Sequence, residues 1–357
     1  MNPLISIIIP TYNCGHLIDR CIRSIQQQTY QNFEIIILDD KSPDQESIEV
    51  QKEWAKKESR INLILKEKNG GDSRTEGVAI AKGQYICFMD QDDWMPKDAL
   101  EVMLEAIEKH DADVVVGQVG KAIKFCGIVK TFKQKPDPLA GRTFTHEELL
   151  EEPYESYFGH NVLPVSVWGK LYKKELFDRA EFPAVWPKAG CGDLILSMHL
   201  HESIKKLVVI PEMVYCYFVG MPGSGPKYLN GWLPRACTLF EYKWAFIEKH
   251  NIKRAIRYQA VEMINYIRTY VSLCTVYDRK NREARIKVLE ETLENPIWQK
   301  VSLQTETYRD QHLRDMILQK KGREIYDYLE AQALNAPLRQ RMMYPVKRMF
   351  ARLKMFS

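Results

Sequence analysis

The chain has 357 residues and eight cysteines, and none of the cysteines falls in a C-x-x-C pair. That absence removes the usual zinc frameworks. Several cysteines lie inside apolar segments, where a free thiol behaves as a small hydrophobe, so the expectation is reduced thiols in a cytoplasmic protein. No window approaches roughly 18 consecutive apolar residues, which excludes a transmembrane helix of ordinary length. The opening MNPLISIIIP carries no basic region or cleavage site, and its apolar run is too short for a signal peptide. There is no Walker sequence and no G-x-G-x-x-G after the first apolar run, which counts against a kinase or a dehydrogenase. Internal repeats and low-complexity tracts are lacking too. Net charge is only +4, so the total demands no polyanionic partner, and no nucleic acid is expected.

What is present is an alternation. Short β-branched apolar runs at Leu4–Ile9, Phe33–Asp40, Ile61–Leu65, Gln84–Asp90 and Asp113–Gly117 are separated by stretches with helical spacing. One such stretch holds Leu17, Ile18, Cys21, Ile22 and Ile25; another runs from about Lys97 to His110. Strands alternating with helices predict a mostly parallel sheet with helices on both faces. Polar residues gather just after the strands, at Thr11 to Asn13, at Asp39 and Asp40, and at Asp90 to Asp93. In open α/β sheets, ligands bind outside the carboxyl ends of the strands. Residues 118–160 predict a hairpin and a linker, and from about Tyr228 the chain reads helical. After Glu330 there is no acidic residue, and Lys and Arg alternate with Met, Leu and Phe to the end.

Three aspartates within FMDQDDWMP need a compensating cation. Mg²⁺ and Mn²⁺ prefer oxygen ligands, and Mg²⁺ usually takes one or two carboxylates and completes its shell with substrate phosphates. Asp90 and Asp92, two apart at a strand end, suit that arrangement. A solvated turn or helix cap is the bland reading of the same residues.

ISIIIPTYNC at Ile5 to Cys14, SIQQQTYQNFEIIILDDKSPD at Ser24 to Asp44 and GVAIAKGQYICFMDQDDW at Gly77 to Trp94 together resemble the family-2 glycosyltransferases, inverting enzymes of the GT-A fold. VWGKLYKKELF at Val167 to Phe177 and the Asp193 region extend the resemblance. It implies a GT-A catalytic domain over 1–225, with a nucleotide-binding half to about 120 and an acceptor half beyond it. A helical domain over 226–335 and a basic amphipathic tail over 336–357 would follow.

The resemblance also implies roles. Pro10, Thr11, Tyr12 and Asn13 would hold the nucleotide, with Tyr12 stacking on the base. Asp39 and Asp40 would close the base site, and Asp40 would accept from uracil N3–H, favouring a UDP-sugar. Asp90 would lie near the ribose, and Asp92, with Asp90, would hold Mn²⁺ or Mg²⁺ on the diphosphate. Arg74 would contact the diphosphate; Ser73 and Thr75 replace the family's flanking Ala and Asn. Asp93, Trp168 and Lys170 would face the sugar and acceptor. Ser224 and Lys227, in GMPGSGPK, would sit on a loop closing over the donor. Asp193 would be the general base that takes the acceptor proton. Gly192 stands where the family usually has Glu, which puts acceptor identity in doubt. His199 and His201 follow on the same helix, though their spacing compels no metal role.

The expected function is metal-dependent transfer of a sugar from a UDP-sugar to a saccharide or lipid-linked saccharide hydroxyl, in bacterial capsule, exopolysaccharide, O-antigen or other envelope glycan synthesis. The tail would dock on the inner face of the cytoplasmic membrane. A saccharide-binding protein with a decayed site and a sugar nucleotidyltransferase are the alternatives. The latter lacks support because PTYNCGHL has no Gly-rich, Arg- and Lys-bearing loop.

Overall fold

The structure is a computed structural model that describes residues 2–70, 72–125, 128–132, 137–160, 162–189, 191–219, 229, 231–302 and 308–335. The chain divides into two compact units. The first comprises 1–152, 165–186 and 192–219; the second comprises 153–164, 187–191 and 220–357. Ser224, Lys227 and the basic tail lie outside the described residues.

The first unit is built on one sheet. Its strands in chain order are β1 (Ile5–Thr11), β2 (Phe33–Asp39), β3 (Ile61–Leu65), β4 (Tyr85–Phe88), β5 (Val114–Phe125), β6 (Ile128–Phe132), β7 (Thr143–Thr145), β8 (Lys170–Lys173) and β9 (Lys206–Val219). They lie in the order β3-β2-β1-β4-β8-β5-β9-β7, with β6 added beside β5. The β3-β2-β1-β4 half is parallel throughout. Beyond it β8 runs antiparallel to both β4 and β5, while β5 and β9 run parallel.

Helices α1 (Ile18–Gln26), α2 (Gln45–Lys57), α3 (Ser73–Ile80) and α4 (Ala99–His110) provide the connections between the first strands. Their buried faces follow the helical repeat: Ile18, Cys21, Ile22 and Ile25 on α1, and Leu100, Met103, Leu104 and Ile107 on α4. The strands between them are buried on both faces, with Ile5, Ile7, Ile8, Ile9, Ile35, Ile36 and Ile37 all fully enclosed. Each such side chain contributes about 1.5–3 kcal/mol through burial.

Capping sets where α2 and α3 begin. The Asp44 side chain accepts from Ser47 N–H to start α2, and Asp72 accepts from Thr75 N–H to start α3. One glycine fixes how near α3 lies to the sheet. A Cβ on Gly77 would stand 2.6 Å from Ile8 Cγ2, so only hydrogen fits there. Three short elements, α5 (His146–Leu149), α6 (Glu175–Arg179) and α7 (Gly192–His201), complete the unit's helices.

The second unit is helical among its described residues. It contains α8 (Trp232–His250), α9 (Ala255–Tyr277), α10 (Arg282–Leu293), α11 (Gln311–Leu318) and α12 (Gly322–Asn335). Its core holds Phe240, Tyr270, Trp298 and Tyr326. The Lys243 ammonium, enclosed in that core, is paired with Glu262 at 2.6 Å. The seven described cysteines are free thiols. No described helix is long and apolar enough to cross a membrane.

Candidate active site

The carboxyl ends of β1, β2 and β4 each present a polar loop on the same edge of the sheet. At β1, Thr11 is buried and its hydroxyl donates to Gln51 Oε1 at 2.9 Å. Pro10 pairs in register with Leu38 of β2, within the strand itself. Tyr12 stands 46% exposed, an apolar ring face open to a ligand. Asn13 takes a left-handed φ of 48°, and its N–H donates to Ser42 Oγ at 2.8 Å. The first loop is thereby tied to the loop after β2.

The two adjacent carboxylates at the end of β2 have opposite fates. Asp39 is fully buried and accepts from Ser42 N–H, Ser42 Oγ and Gln51 Nε2 at 2.6–2.9 Å. Asp40 points to the rim, where Lys66 Nζ lies 3.1 Å away and Gly70 N–H donates to it at 3.1 Å.

The same division recurs in the loop after β4. Asp93 is fully enclosed, accepting from Tyr215 Oη and from Phe218 N–H, each at 2.7 Å. Burial pushes its carboxyl up to about 7. Its oxygens are spent on β9, an arrangement that anchors the loop rather than facing a sugar. Asp92 is half-buried and makes no salt bridge among the described residues; burial raises its carboxyl too. Asp90 is raised first by burial and then by the nearby Asp193 and Asp92 carboxylates, against the opposing pull of Arg74.

Arg74 joins the two halves of the site. From the first turn of α3 its Nη2 reaches Asp90 Oδ1 at 3.0 Å and Asp193 Oδ1 at 2.9 Å. Burial alone would depress the guanidinium, but Asp193, Asp90 and Asp72 more than offset it and hold it raised. Asp193, in the first turn of α7, therefore sits one guanidinium away from the Asp90 loop. A diphosphate contact by Arg74 would require one of these pairs to open. Lys170 is buried on β8, where burial pushes its ammonium down to about 7, with the Asp193 carboxylate pulling the other way. Trp168 stacks on Tyr215 at 4.8 Å and on Tyr217 at 5.5 Å between ring centroids, both nearly parallel.

Several side chains that hold this rim gave no signal in the sequence. Gln91 exchanges two hydrogen bonds with the Tyr12 backbone, at 2.8 and 3.1 Å. Arg20, from α1, donates to the Asp92 carbonyl, and its guanidinium lies 4.2 Å from the centres of both the Trp94 and Phe218 rings. Trp94 and Cys216 pair as an isolated antiparallel bridge. Tyr215 Oη accepts from Asp90 N–H at 3.1 Å while donating to Asp93. Each links segments too distant in sequence for local pattern to reveal.

His201 is fully buried, and its ring Nε2 lies 2.7 Å from the Leu149 carbonyl, to which it donates. Burial pushes the imidazole down to about 4. This nitrogen holds α7 in place. As pH falls below about 6.5, the unfolded chain takes up a proton that the folded imidazole refuses. Stability from this group is present at neutral pH and declines by about 3 kcal/mol between pH 6.5 and 4. Urea unfolding of wild type and His201→Gln should therefore show a shallower acid loss in the variant, whose amide still donates to Leu149. Parallel pH profiles would contradict the assignment.

The donor set suits a hard divalent cation. Asp90 and Asp92 offer two carboxylates that burial makes costly to ionise, and among the described residues Asp92 makes no salt bridge, with Arg20 acting on that carboxylate only through its field. Among the described residues no group of three His, Cys, Asp or Glu could hold a metal on its own. Two protein carboxylates with substrate phosphates completing the shell is the mode Mg²⁺ commonly uses.

The Glycosyl transferase family 2 model matches residues 6–179. GlyG, a glycosyltransferase of Streptococcus pneumoniae, is 30% identical over 220 residues, covering 61% of this chain and 71% of GlyG. The chain belongs to glycosyltransferase family 2. A poly(ribitol-phosphate) beta-glucosyltransferase of Bacillus spizizenii is 28% identical over 225 residues, which is 62% of this chain and 33% of that protein. The family-2 chain thus spans only a third of the length of some relatives it matches. Among solved structures, Staphylococcus aureus TarS 1–349 in complex with UDP-GlcNAc aligns over 92% of this chain and 90% of its own, with a TM-score of 0.61. At 17% identity that likeness speaks to the fold, and the fold is GT-A with helices appended at the C-terminal side.

Proposed function

We propose that the chain is an inverting, metal-dependent glycosyltransferase that moves a sugar from a UDP-sugar to a saccharide hydroxyl, with Asp193 as general base. The observation that carries this reading is the Arg74 bridge, because it puts Asp193 beside the loop of Asp90 and Asp92. Tyr12 stacks on the base, and Asp40 accepts from uracil N3–H. Asp90 and Asp92 would hold Mn²⁺ or Mg²⁺, which would supply Lewis-acid stabilisation of the departing diphosphate. Asp193 removes the acceptor hydroxyl proton as that oxygen bonds to the anomeric carbon. The bond from that carbon to the diphosphate oxygen breaks on the opposite face. Configuration inverts, and an α-linked donor gives a β-linked product. Lys170 and the half-exposed pair Trp168 and Tyr217 line the acceptor side.

The TarS complex with UDP-GlcNAc supports a nucleotide-sugar donor, and the poly(ribitol-phosphate) beta-glucosyltransferase supports a polymeric acceptor. Residues 336–357 are proposed to dock on an anionic membrane surface carrying a lipid-linked acceptor, and liposome co-sedimentation with and without them tests this. Equal sedimentation of both forms would remove the tail from the proposal.

A thermal-shift screen with Mn²⁺ and several nucleotide-sugars tests the donor class. UDP-sugars should raise the melting temperature more than a CMP-sugar, since cytosine has no N3–H to give Asp40. Preference for the CMP-sugar would contradict the Asp40 contact.

A further inference from the structure

Arg74 has three carboxylates around it, and only two have a place in the reaction proposed above. The third is Asp72. It is 8% exposed, it helps hold the Arg74 guanidinium charged, and burial raises its own carboxyl. One of its oxygens, Oδ2, accepts from Thr75 N–H and starts α3. The other, Oδ1, faces the beginning of α7. Among the described residues beyond its own chain neighbours and helix backbone, a Cβ built on Gly192 would come within 4 Å of that oxygen alone, at 3.7 Å. The backbone at Gly192 needs no left-handed φ, so nothing about its conformation calls for glycine. A methyl group would fit there in ordinary contact, so the glycine simply leaves the Asp72 carboxylate as the described group bordering the residue that precedes Asp193. The first turn of a helix also favours an anion close by.

We propose that Asp72 is a positioning residue for Asp193: its carboxylate, lodged against Gly192, keeps Arg74 and the first turn of α7 in the arrangement that aims Asp193 at the acceptor. This rests on Asp193 being the base. Asp72 touches neither donor nor acceptor and acts through Arg74 and α7. Its charge, not merely its cap, is what the site uses. A carboxylate entering from the opposite side, at position 192, would supply the same charge in the same space.

Asp72→Asn separates cap from charge, because an asparagine oxygen still accepts from Thr75 N–H. The kcat for transfer should fall roughly ten- to a hundredfold, the scale on which misplacing an intact group is felt. The KM for the donor and the melting temperature should stay near wild type. Gly192→Glu alone should impair transfer, since it sets a second carboxylate against Asp72. The double variant Asp72→Asn/Gly192→Glu should recover most of the lost kcat. Asp193→Asn is assayed alongside. If it transfers at the wild-type rate, the base assignment falls and this proposal with it. If Asp193→Asn is inactive while Asp72→Asn is unaffected, the base stands and Asp72 has no positioning role. A loss in Asp72→Asn that Gly192→Glu does not recover, or that comes with a lowered melting temperature, would make Asp72 only a cap and overturn the proposal.

Discussion

Asp193→Asn is expected to lower the rate of transfer by roughly 10²–10⁴-fold, the usual contribution of a positioned general base. The variant should still bind UDP and fold. The reason is one of magnitudes. Asparagine keeps an oxygen that can accept from Arg74, so the exchange trades a charged hydrogen bond for a neutral-acceptor one, at about 1 kcal/mol of stability. A hundredfold in rate corresponds to about 2.7 kcal/mol in the barrier. Arg74 also keeps its second partner, Asp90, so the rim does not come apart. Steady-state transfer, UDP titration and a melting curve separate the two effects. A variant within a fewfold of wild type would show that another group takes the acceptor proton.

Asp92→Asn should act in opposite directions on activity and stability. Burial raises the Asp92 carboxyl against the pull of Arg20, and the Asp92 charge in turn raises Asp90 and Asp93, so neutralising Asp92 relieves the protein in the absence of metal. Melting temperature without metal should hold or rise. Activity should fall by about a hundredfold or more, the scale implied by losing several kcal/mol of charge stabilisation at the leaving diphosphate. The increment that Mn²⁺ adds to UDP binding should disappear as well. Chelation of the wild-type protein ought to mimic the variant. Full activity in the presence of chelator would remove the cation from the proposed chemistry.

The first strands were legible because each is a β-branched run closed by polar residues, and β3 matches its sequence reading at both ends. Strand β9 was not. Its sequence KLVVIPEMVYCYFV carries Pro211 and Glu212 in the middle, which break the apolar run by which a buried strand is recognised. The structure takes them up in a register irregularity opposite Val116 to Val119, where a strand can tolerate proline. What followed from missing β9 was missing Tyr215 and Phe218, and so the reason Asp93 exists. Adjacent aspartates at Asp39–Asp40 and Asp92–Asp93 pose the same problem. In each pair one carboxylate is consumed inside and one faces the rim, and nothing local says which. Gly192 reads as a bare departure until Asp72 is seen across from it, since their proximity spans more than a hundred residues. Arg74 could be assigned to the site from sequence, but not its position between Asp90 and Asp193.

Gly77 lies three residues after Arg74, one turn further along α3, against Ile8. A methyl group there would have to wedge the helix away from a strand residue that is itself fully enclosed. The displacement would be carried along the helix to the guanidinium. The charge balance of the rim is thus set from underneath, by the thickness of a hydrogen atom. Anyone seeking to retune this enzyme by varying only the residues that touch its ligands would leave untouched the lever with the longest reach.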